Sequence, residues 1–163
     1  MDEVDILIAE FEVCEDKIEA LDRIGAASGD DRAAKLYLSV STSDTYDIAT
    51  RQYAARLLRY AFPEATELQD AVVAAAVQFA ADKGVEEALR LDFLEVILFS
   101  QRTYNTVKAL VTLMADADDS PDVRRTAFDV LRRHTDIQMI RRAVGEVTAR
   151  DTVFDDFSSR LLG

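Results

Sequence analysis

Asp116, Asp118, Ser120 and Asp122 place oxygen donors at alternate positions, the spacing by which a calcium loop surrounds its ion. Such a loop needs glycine at its sixth position for a sharp turn and a bidentate glutamate at its twelfth. Pro121 and Ala127 stand there instead, so the pattern predicts a capped, solvated turn and no metal. His134 is the only histidine and Cys14 the only cysteine. A zinc site needs several nitrogen or sulfur donors together, which these two distant residues do not supply. Cys14 also falls in an apolar stripe, where nothing polarises a thiol toward the nucleophilic thiolate. The chain carries no glycine-rich phosphate loop, no nucleophile elbow and no zinc-protease helix motif. The expectation is a non-enzymatic chain without a cofactor.

Charge offers a different chemistry. Residues 123–150 hold seven arginines against Asp129, Asp136 and Glu146, a balance of +4. Of these, Arg125, Arg132, Arg133, Arg141 and Arg142 are candidate partner-binding residues, with Arg125 and Arg132 on one helix face. Residues 1–31 carry eleven acids against Lys17 and Arg23, a balance of −9, and there Glu12, Glu15 and Glu19 are the candidates. The whole chain carries −12, which opposes nucleic acid or an anionic membrane as partner, because phosphate binding runs on counterion release by Lys and Arg. A protein partner is expected. Two other readings stand beside it. One is an acidic inhibitor of the immunity or antitoxin type that masks a basic effector. The other is nucleic-acid binding through the arginine ridge.

The elements that position these charges read as helices. A length of 163 residues suits one domain, and 49% apolar residues exclude a disordered chain. Five Gly and two Pro leave few breakers. A single cysteine suits a reducing cytoplasm, and neither a leader nor an apolar run of about 18 residues is read in the sequence. Val4, Leu7, Ile8, Phe11, Cys14, Ile18 and Leu21 predict one helix over 4–24. Ile6 and Val13 fall off that stripe, so this helix is either covered on two sides or keeps a second face for a partner, including a second copy of the chain. Leu36, Leu38 and Val40 alternate as in a strand, but no partner strand exists, and 35–41 is read as a short helix. Further helices are predicted over about 44–61 (capped by Thr42, Ser43 or Asp44), 63–82, 85–100, 102–116, 120–134 and 136–150. A closing helix over 151–163, with Val153, Phe154, Phe157 and Leu161, makes about nine.

Alignment on arginine exposes a period. Arg51 precedes Ala54, Leu57 and Leu58; Arg90 precedes Phe93, Val96 and Ile97; Arg124 precedes Ala127, Val130 and Leu131. The offsets are three, six and seven each time, at spacings of 39 and 34 residues, as in stacked helix pairs. Asp118, Pro121, Val123, Arg124 and Ala127 stand in the order of a HEAT-type repeat, and the segment Asp118 to Leu131 resembles one. The resemblance implies an all-α fold, a short right-handed α-solenoid of stacked antiparallel helix pairs. It also implies that Asp118 and Arg124, with Arg90 and Arg51 at equivalent positions, serve as a structural ladder between turns. The Val before the arginine is replaced by Thr50 and Leu89 in the other two copies. The expected organisation is one domain, with atypical capping helices over 1–43, helix pairs over 44–150 and a capping helix over 151–163.

Overall fold

In the computed structural model, acids and hydroxyls start most of the helices. The Asp2 carboxylate accepts from the Asp5 N–H at 3.1 Å and opens α1 (Glu3–Val13). Asp16 accepts from the Glu19 N–H at 3.0 Å and opens α2 (Lys17–Ala27). Asp30 caps α3 (Asp31–Thr42), and Asp47 caps α4 (Ile48–Tyr60). Each bond satisfies one of the N–H groups that the first helical turn leaves without a partner. The opening of α5 (Thr66–Ala81) is served from another helix: Asp31 of α3 accepts from the N–H groups of Glu64 and Ala65 at 2.8 and 3.1 Å. Then follow α6 (Glu87–Ile97), α7 (Tyr104–Ala115, capped by Thr103), α8 (Pro121–Arg132, capped by Ser120) and α9 (Ile137–Thr148). Residues 2–27, 30–100, 103–134, 136–148 and 160–162 are described, and among them every regular element is a helix.

The chain forms two compact units, Met1–Ala75 and Ala76–Gly163. In the first, α3 and α4 pack as an antiparallel hairpin, with α1 and α2 against it. Phe11, Leu21, Ile24, Tyr37 and Leu58 are fully buried there. The expected boundary at 43/44 falls inside that hairpin, in the turn between its two helices. In the second unit, α7 packs on both α8 and α9, and α6 packs on α8. Its core holds Leu89, Phe93, Leu94, Ile97, Leu110, Met114 and Leu131.

Three expectations change. The single helix over 4–24 is two, broken at Cys14, whose backbone is extended at φ −71° and ψ 134°. Lys17 seals the break by donating from Nζ to the carbonyls of Phe11 at 2.5 Å and Glu12 at 3.1 Å, the α1 C-terminal oxygens that lack helical partners. Thr42, Ser43 and Asp44 do not cap α4; Asp47 does, accepting from Thr50 N–H at 2.8 Å. Helix α5 starts at Thr66 rather than at Pro63, whose carbonyl instead takes Nε2 of Gln69 at 2.8 Å. The alternating 35–41 segment is helical, and Ala33, Ala34, Tyr37, Val40 and Ser41 form its buried face. Of the closing helix, Val153, Phe154 and Phe157 lie outside the described residues, while 160–162 are helical with Leu161 buried.

Candidate functional site

Each of the three aligned arginines ties the start of its helix to the end of the helix before it. Each donates from Nε to a backbone carbonyl ten residues upstream, at the end of the preceding helix: Arg51 to Ser41 at 3.1 Å, Arg90 to Ala80 at 2.9 Å, Arg124 to Met114 at 2.9 Å. Eight residues before each arginine, a side-chain oxygen accepts the N–H two residues on, from Ser43, Asp82 and Asp116. The same turn is thus built three times, with a different acceptor in the first copy. Such bonds satisfy the last carbonyls of one helix with the first turn of the next.

The acid of the ladder is one residue from its expected place. Arg90, 3% exposed, forms a bidentate pair with Asp119, 7% exposed, at 2.8 and 2.5 Å. Asp118 is exposed, and its backbone N–H donates to Asp116. Asp119 also accepts from the Ser120 N–H at 2.7 Å, and the Arg90 guanidinium beside it holds its carboxyl below the ordinary carboxylate value. A planar guanidinium presenting two N–H groups to one carboxylate suits such a buried pairing.

The candidate arginines are distributed differently from a single ridge. Arg125 lies 3.9 Å from Asp122, and Arg132 donates to Asp129 at 3.1 Å. Arg142 lies over the Tyr104 ring at 4.2 Å and reaches Glu146 at 3.3 Å. Arg133 and Arg141 are exposed. Glu146 also takes Lys108 at 3.0 Å, and the Tyr104 hydroxyl foremost, with Lys108 and Arg142, holds its carboxyl down at about 2. A cleft of about 470 Å³ opens beside this group, lined by Lys108, Thr112, Ala115, Asp116, Glu146 and Val147. Its charges are already matched, since Lys83 pairs with Asp116 at 2.6 Å and Lys108 with Glu146. No group of three or more metal-ligating side chains occurs among the described residues. No helix among them is long and apolar enough to cross a membrane.

The first helix carries the other charged candidates, and here the geometry is distinctive. Val4 and Phe11 are buried, with Leu7 and Ile8 beside them. At about 100° per residue, Ile6, Ala9 and Val13 then project from the opposite side. All three are exposed, Ile6 at 43% and Val13 at 83%. Asp5 and Glu12 border this apolar strip on one flank, and Glu3 and Glu10 on the other. Glu10 pairs with Arg23 at 2.9 Å and Asp5 with Arg32 at 2.8 Å. Glu3 and Glu12 face solvent, as do Glu15 in the α1–α2 break and Glu19 in the first turn of α2.

The chain matches no family model, no curated protein and no solved structure. From spacing alone, Ile6 and Val13 mark a second face of the first helix that could take a partner, whereas Ala9, which completes the strip, does not stand out. The available signal was the three- and four-residue spacing of Ile6, Ala9 and Val13, read against the acids between them. Asp119 was missed because Asp116, Asp118 and Asp119 are equivalent by spacing until Arg90, 29 residues upstream, is placed.

Proposed function

We propose that this chain is a non-enzymatic protein-binding module, built of HEAT-like helix pairs, that engages its partner through the outer face of α1. The observation that carries the reading is the exposed apolar strip of Ile6, Ala9 and Val13 on the side of α1 opposite its buried face. Burying apolar surface is the main favourable term in protein association, and an apolar strip rimmed by charge has the anatomy of an interface. The arginine-to-carbonyl bond repeated at three helix-to-helix turns supports the HEAT-like reading of the scaffold. A reducing cytoplasmic setting goes with it, Cys14 being single and its thiol donating to the Asp16 carbonyl at 3.3 Å.

A second reading, an inhibitor of the immunity or antitoxin type, is favoured by exposed Glu12, Glu15 and Glu19 around the α1–α2 break. In that case an adjacent effector gene is expected, and reversing those three charges slows association.

The test is a pull-down from native lysate with the full chain and with Val13→Asp, read by mass spectrometry. Recovery of one protein by the parent chain and its loss in the variant is the expected result. Equal recovery by both, or turnover of a substrate with no specific protein recovered, contradicts the reading.

A further inference from the structure

The outer face of α1 has the layout of one strand of a coiled coil. Setting Ile6 as position a makes Ala9 position d and Val13 the next a. The flanking e and g positions are then Glu3, Asp5, Glu10 and Glu12, acidic without exception. Val4, Leu7, Ile8 and Phe11 take the remaining positions and turn toward the chain's own core. Helix α1 is therefore two-faced, and its solvent-facing half is written in the register that pairs with another helix. The small Ala9 between Ile6 and Val13 leaves room for a large apolar side chain from that helix.

The flanking charges decide what such a helix must be. Residues at e and g choose partners by sign, because they meet across the seam. A second copy of α1 would set acids against acids at every flanking position, so self-pairing is opposed. An anionic lipid surface meets the same repulsion. A helix with Lys or Arg on both flanks meets none, and its charges would find Glu3 and Glu12, to which no internal ion pair is seen among the described residues. Glu15, Asp16 and Glu19 extend the negative field beyond the end of α1.

We infer that the α1 face binds a basic amphipathic helix of another protein, with apolar residues at heptad spacing and Lys or Arg on either side. This rests on the reading of α1 as the docking face. The experiment uses the full chain and three helical peptides that share one apolar heptad seam and differ only at the flanks, carrying Lys, Gln or Glu. Binding is followed by fluorescence anisotropy at low and moderate salt, for the parent chain, Val13→Asp and Glu3→Lys/Glu12→Lys.

The Lys peptide should bind the parent chain at least tenfold more tightly than the Gln peptide, and the Glu peptide should not bind. Its affinity should fall at least tenfold in Val13→Asp and in the double charge variant, and fall with salt. Circular dichroism of both variants should match the parent. Equal binding of all three peptides overturns the inference, as does Lys-peptide binding untouched by Val13→Asp. So does a concentration-dependent dimer of the parent chain that Val13→Asp abolishes, since a second copy is then the occupant. If the Lys peptide fails while a lysate protein is still lost on Val13→Asp, the docking face stands and its proposed chemistry falls. If the lysate protein is unaffected, the docking face itself falls.

Discussion

At the residue scale the decisive pair is Arg90 with Asp119. A buried ion pair is a weak net stabiliser, but removing one member strands the other charge away from water, at about 3–5 kcal/mol. Asp119→Ala should therefore destabilise the protein by roughly that amount in urea titration. Asp118→Ala, at an exposed position one residue earlier, should stay within about 0.5 kcal/mol. Equal losses at the two sites would place the ladder acid wrongly. The pair also carries a pH signature. Asp119 has a lowered pKa in the folded chain, so it contributes stability at neutral pH that is fully present above the ordinary value of 3.8. That contribution disappears as pH falls from there through the lowered value. Replacing Asp119 by Asn should flatten the acid limb of the stability profile below about pH 4, in the range where an unperturbed Asp titrates. Spacing in the sequence could not select Asp119 from the neighbouring acids, because the choice is made by a guanidinium on another helix.

At the element scale, most helices were legible because long periodic runs announce them, and Asp or Ser caps mark their starts. The break at 14–16 was not. Phe11, Cys14 and Ile18 keep the helical spacing straight across it, so periodicity alone reads one helix where there are two. The legible signal was Asp16 followed three residues later by Glu19, a capping-box spacing inside the run. Position 36–40 shows the reverse case: alternation mimicked a strand, while the actual buried face is set by Ala33, Ala34, Tyr37 and Val40. Within α9, Gly145 has open space around the place its Cβ would occupy and a backbone in the helical run. Gly145→Ala should then stabilise by about 0.5–1 kcal/mol, through helix propensity alone, seen as a rise in Tm. A fall in Tm would contradict the open space and helical backbone at Gly145.

At the scale of the whole molecule, charge is divided unequally between the two units. Residues 1–75 hold sixteen acids and seven bases, against fifteen and twelve in 76–163. Sequence gave the sign of this asymmetry but not its use, which depends on which face of α1 the rest of its unit covers. The structure covers Val4 and Phe11 and leaves Ile6, Ala9 and Val13 in solvent, so the two residues that fall off the first stripe lie, with Ala9, at the centre of an exposed surface. Because Val13 is 83% exposed, Val13→Asp should leave stability within about 0.5 kcal/mol of the parent while removing partner binding. The most direct test of α1 as the docking face is amide hydrogen exchange of the full chain, alone and with the partner it captures from lysate. Docking on α1 predicts slowed exchange concentrated in residues 3–13, with Val13→Asp abolishing the change. Slowed exchange confined to α8 and α9, with 3–13 exchanging as in the free chain, would contradict it.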